Sequence, residues 1–186
     1  VAHAIAKVMY DPESPDDGHH KLYRTNGFSH IYAWGITFAS IFYAMLGLAL
    51  LKICLKRWLP TGPALFTVFL TFFATNLMYY TVRESGMSHS FSFFLFAWIL
   101  YLMPRFLQKA DWLNVLAMGF AFGMVVLIRP TNIIIAMLFL GFNAYGFSDL
   151  KARIKQLVKP RYLIRFGVIG LIAFVIFIPQ FLYLSL

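Results

Sequence analysis

The chain has 186 residues, of which 61% are hydrophobic, 19% aromatic and 12% charged. Soluble domains average roughly 45–50% apolar and about 25% charged residues, so this composition excludes a water-covered domain and points to an all-α, polytopic membrane helix bundle. The net charge of +9, from 16 Lys+Arg against 7 Asp+Glu, does not indicate nucleic acid, because membrane chains collect basic residues in cytoplasmic loops.

Residues 1–30 form the first unit, an outer-face loop or interfacial segment. A short apolar stretch, Val1 to Tyr10, precedes Asp11-Pro-Glu-Ser-Pro-Asp-Asp-Gly-His-His, whose Pro, Asp, Ser and Gly favour turns. Asp16, Asp17 and His19 are the candidates here for a divalent cation, since carboxylates and imidazoles both bind such ions. A solvated acidic turn is the alternative.

Residues 31–186 form the membrane region, which the charged and Pro/Gly positions cut into about six candidate spans. The first runs from Ile31 to Leu51 and the second from Pro63 to Val82. The third, Ser88 to Met103, halts at Pro104-Arg105. The fourth, Trp112 to Ile128, halts at Arg129-Pro130; the fifth covers Asn132 to Phe147, and the sixth starts near Phe166. Spans three to five are short for a crossing that takes about 20 residues. Cys54 is the only cysteine, which excludes an intrachain disulfide. The opening on Val1 and the apolar C-terminus read as the middle of a longer protein.

Alternate loops differ in charge. One side holds Lys52, Lys56, Arg57, Arg105, Lys109, Lys151, Arg153, Lys155, Lys159, Arg161 and Arg165; the other holds only Lys7, Lys21, Arg24, Arg83 and Arg129. The first side is therefore expected to be cytoplasmic. Residues 1–30, 83–90 and 129–132 then face outward from the plasma (inner) membrane. The basic stretch Lys151 to Arg165 is explained by this topology, with contact to anionic lipid as an addition.

Two outward segments carry ionisable side chains. Between Tyr79 and Ser90 lie Arg83, Glu84 and His89, in which Glu84 or His89 could bind or deprotonate a hydroxyl while Arg83 contacts an anion. The competing reading is mutual neutralisation of Arg83 and Glu84 with a helix cap from Ser88. In Leu127-Ile-Arg-Pro-Thr-Asn132, Pro130 suits the first turn of a helix. Arg129 would then stand beside free amides that favour a phosphate oxygen; a snorkelling interfacial arginine is the alternative.

The stretch Gly119-Phe-Ala-Phe-Gly-Met-Val-Val-Leu-Ile-Arg-Pro-Thr-Asn132 resembles the glycine-rich span ending in a basic residue and proline of GT-C class multispanning glycosyltransferases. Bacterial relatives of protein mannosyltransferases and of the aminoarabinose transferase of lipid A belong to that class. Ala2-His3 through Asp17-Gly18 to Tyr23, followed by Ser40-Ile-Phe-Tyr-Ala-Met-Leu-Gly47 and on to Lys52, is similar to the stretch after the first outer loop in such proteins. The resemblance implies transfer of a sugar from a polyprenyl-phosphate carrier to an acceptor outside the membrane. It further implies a general base and cations that stabilise the departing lipid phosphate. The family's main catalytic acid would precede Val1. Within this sequence Glu84 and His89 are the catalytic candidates, and Arg83, Arg129 and Asn132 the phosphate-binding ones. A multispanning transporter or flippase and a non-catalytic membrane scaffold are the alternative functions.

Overall fold

The computed structural model describes residues 30–109 and 111–184. Among them there is no strand. Lipid offers no hydrogen bonds to the backbone, and a helix satisfies each amide within its own segment. The helices are α1 His30–Leu55, α2 Thr61–Phe73, α3 Leu77–Val82, α4 His89–Gln108 and α5 Trp112–Ile128. A 3-10 helix, Pro130–Met137, leads into α6 Leu138–Gly141, α7 Phe147–Leu157 and α8 Pro160–Leu184.

Helix α4 is the centre of the bundle. Its Leu95, Ile99, Met103 and Phe106 are buried against Val115, Met118, Phe122 and Val125 of α5. The Phe106 ring lies 5.2 Å from Phe139, 5.8 Å from Tyr162 and 5.5 Å from Phe166, which gathers α6 and α8 around it. Close approach depends on three glycines. A Cβ on Gly123 would stand 2.6 Å from Ile176 Cδ1 and 3.1 Å from the Ala173 Cα, and one on Gly119 2.9 Å from Ile172 Cδ1. Small residues one turn apart let α5 and α8 pack backbone to backbone. Gly47 plays the same part between α1 and Phe93 of α4.

Three of these helices, α1, α4 and α8, are long and apolar enough to cross a membrane. Their environments differ, with 50% of the apolar window of α4 buried in the bundle against 11% of that of α8. Helix α8 therefore lies at the periphery. Its Leu171, Phe174 and Val175 are exposed, as are Trp34, Phe38 and Phe42 of α1, and such a surface suits lipid.

The remaining apolar segments are shorter than the expected spans. At about 1.5 Å per residue, α2 extends about 20 Å and α5 about 26 Å, against a hydrocarbon core of about 30 Å. The second expected span is interrupted, since α2 ends at Phe73 and α3 begins at Leu77. Thr75 Oγ1 donates to Thr71 O at 2.6 Å and accepts from Leu77 N at 3.2 Å. The hydroxyl thus serves the backbone on both sides of the break. The third expected span is extended, because α4 continues through Pro104 to Gln108. Burial of Phe106 and Leu107 beyond the proline outweighs the one hydrogen bond that proline removes.

The fifth expected span, Asn132 to Phe147, instead ends at Gly141 and begins as a 3-10 helix. Its run Ile133-Ile134-Ile135 is β-branched and crowds a regular α-helical turn. Phe147 opens a separate amphipathic helix, α7, and the sixth span starts earlier than expected, at Pro160. Much of the basic stretch read as a loop is thus helical.

Candidate functional site

Contacts between helices define two ends of the bundle. At the first, Ser40 of α1 meets Ser90 of α4, and at the second, Arg57 beyond α1 meets Tyr101 of α4. Helices α1 and α4 therefore run the same way. Helix α5 runs against α4, because Asn114 Nδ2 donates to Leu102 O at 3.3 Å near the second end, while Ile128 leads to Asn132 at the first.

The first end carries buried hydroxyls. Ser40 Oγ donates to Ser90 Oγ at 2.9 Å, and Thr81 Oγ1 lies 3.2 Å from Ser90 Oγ. Thr81 spends its one proton on Leu77 O at 2.7 Å, so Ser90 must donate to Thr81. A one-way relay, Ser40 to Ser90 to Thr81 to the Leu77 carbonyl, joins α1, α4 and α3. Nearby, Thr37 and Ser85 share a hydrogen bond of 2.7 Å, and Asn132 Nδ2 donates to Ser92 Oγ at 3.3 Å and to Val125 O at 3.2 Å.

These hydroxyls place the ionisable candidates. Arg83 and Glu84 follow α3, which Thr81 fastens to Ser90, the residue after His89. His89 is half-buried and its ring stacks on Tyr80, with centroids 4.0 Å apart and planes at 28°. The Asn132–Ser92 bond brings the Arg129 segment to the first turn of α4, three residues past His89. Arg83, Glu84, His89, Arg129 and Asn132 therefore share one end of the bundle. Arg83, Glu84 and Arg129 are exposed, and no ion pair joins Arg83 to Glu84 among the described residues. Ser88 makes no side-chain cap.

Two details depart from the expected anion site. Pro130 has no N–H and Asn132 N is bonded to Arg129 O at 2.9 Å, so the 3-10 turn offers fewer free amides than a regular helix start. The Asn132 amide acts as a strut between α4 and α5. What sequence reasoning passed over is the hydroxyl set itself; alternate serines at 88, 90 and 92, beside an apolar run, are the signal that would have found it.

The metal candidates Asp16, Asp17 and His19 lie outside the described residues. Among the described ones no group of three or more His, Cys, Asp or Glu could hold a metal ion.

The second end is basic and its arginines are engaged. Arg57 Nη2 donates to Tyr101 O at 3.3 Å, Arg161 to Lys109 O, and Arg165 lies 5.5 Å from the Trp112 ring centroid. Tyr162 Oη and Gln156 Nε2 both donate to Leu107 O, at 2.7 and 2.6 Å. They serve a carbonyl that the end of α4 leaves without a helical partner. Comparison of the chain with known protein families, with characterised proteins and with solved structures gave no match.

Proposed function

We propose that the chain is part of a GT-C-type membrane glycosyltransferase, which moves a sugar from a polyprenyl-phosphate donor to an acceptor at the hydroxyl-lined end of the bundle. The observation that carries this reading is the gathering of exposed Arg83, Glu84 and Arg129 with His89 and Asn132 at that end. In the reaction, the acceptor oxygen attacks the anomeric carbon while the bond from that carbon to the phosphate oxygen breaks. The acceptor proton passes to a carboxylate or imidazole, for which Glu84 and His89 are this chain's candidates. The lipid phosphate leaves with its negative charge stabilised by Arg129 and Arg83, since fixed cations help most where charge develops. In this reading six segments traverse the plasma membrane. The short ones are shielded by α1, α4 and α8, and the basic end is cytoplasmic.

The test is an in vitro transfer assay with the full-length protein, polyprenyl-phosphate sugars and a membrane acceptor extract. Transfer is expected, together with a drop of about 100-fold for Arg129→Ala. No transfer by the wild-type protein, or full transfer by the variant, would sink the proposal.

A further inference from the structure

We infer that the basic end holds a binding site for a phosphate-bearing anion of the kind an acidic phospholipid headgroup presents. A cavity of about 290 Å³ opens there between the ends of α4, α6 and α7, with Gln108, Asn143, Arg153 and Gln156 in its wall. Arg153 is held in place before any ligand arrives. Its Nη2 donates to Phe142 O at 2.9 Å and its Nη1 to Gln156 Oε1 at 3.1 Å, while its Nε is buried with no hydrogen-bond partner among the described residues. Both oriented contacts are to neutral oxygens, so the positive charge is fixed but not neutralised.

Two more cations sit on segments that adjoin the cavity wall. Arg57 and Arg105 both face the Tyr101 ring, 5.5 and 5.0 Å from its centroid. Trp58, next to Arg57, packs on the Phe142 ring at 5.9 Å, and Phe142 lines the cavity. Arg105 follows Pro104, which lines it too. The nearest acid along the chain, Asp149, accepts from Tyr145 N at 3.0 Å. One guanidinium, that of Arg153, therefore lines a part-polar cavity at the end of apolar helices, where headgroups lie, and two more are carried by residues adjoining its wall, Arg105 next to Pro104 and Arg57 next to the Trp58 that packs on Phe142. Planar guanidinium donors match phosphate oxygens in charge and geometry, and basic clusters at this level attract anionic lipid. Asn143 completes the wall with an exposed side chain and a left-handed φ of 54°, a conformation that Asp also tolerates.

This inference does not depend on the chemistry of the opposite end. Native mass spectrometry of the full-length protein in detergent can compare short-chain phosphatidylglycerol, short-chain phosphatidylcholine and inorganic phosphate. Phosphatidylglycerol is expected to be retained about tenfold better than phosphatidylcholine, with a loss of about fivefold in Arg153→Gln and in Asn143→Asp. Retention of inorganic phosphate with the same sensitivity to both variants would assign the site to a free phosphate instead of a lipid. Arg153→Gln removes structural hydrogen bonds, so Asn143→Asp, which adds only a negative charge to the wall, is the deciding variant. Equal retention of the two lipids without phosphate binding, or undiminished binding by folded Asn143→Asp, would overturn the inference.

Discussion

The two ends of the bundle use polar side chains in opposite ways. At the basic end the arginines are drawn into the fold, with Arg57, Arg153 and Arg161 donating to backbone carbonyls and Arg165 lying near Trp112. At the other end the hydroxyls of Ser40, Thr81 and Ser90 are buried and joined, while Arg83, Glu84 and Arg129 stay exposed. Charge at the basic end helps to close helix termini, its guanidiniums donating to neutral carbonyls. Charge at the hydroxyl-lined end is carried on exposed side chains, whose segments the buried hydroxyls and Asn132 fasten to the bundle.

The scaffold beneath both ends is the most sensitive target. Gly123→Leu would drive a side chain into Ile176 and Ala173, and overpacking of this kind costs about 1–3 kcal/mol. Thermal unfolding in detergent should show the largest loss of any single change considered, with α8 parting from α5. A wild-type melting temperature would show that the glycine contact is not what holds α8.

Ser90→Ala should come next. It leaves the Ser40 hydroxyl without an acceptor and Thr81 without a donor, for about 1 kcal/mol in a membrane interior. Adding Ser40→Ala should recover part of that loss, since removing both partners costs less than orphaning one. Additive losses in the double variant would argue against the relay. Tyr162→Phe should cost somewhat less, because Gln156 Nε2 still donates to Leu107 O. Hydrogen exchange at the C-terminal turn of α4 should detect that local loosening.

The smallest effect on stability should come from Arg129→Ala and Glu84→Gln, whose side chains are exposed. Their melting curves should overlay the wild type even where transfer is lost. A marked drop in stability would make them structural and erase the difference between the two ends.

Composition and periodicity alone determined the helical class, the membrane setting and several boundaries. The fourth expected span coincides with α5, Trp112–Ile128, because Asp111 before it and Arg129-Pro130 after it are local stop signals. The alternation of basic and less basic loops is likewise a property of charge order along the chain, and the contacts at Arg57–Tyr101 and Ser40–Ser90 place the two kinds at opposite ends. The ionisable candidates were legible for the same reason, since a charge beside an apolar run stands out.

Packing between helices set the rest. Pro104 reads as a terminator, yet buried Phe106 and Leu107 carry α4 past it. Val82 reads as continuous with Pro63, yet α2 ends at Phe73 and α3 begins at Leu77. Ser90 and Thr81 look ordinary until α1 is packed against α4, and that the Asn132 amide ties α4 to α5 shows only once Ser92 and Val125 accept its protons. A hydroxyl or amide finds its partner across helices, 50 residues apart in the chain for Ser40 and Ser90 and 55 for Tyr162 and Leu107. Such pairings depend on which faces meet, and a single chain's periodicity does not encode that.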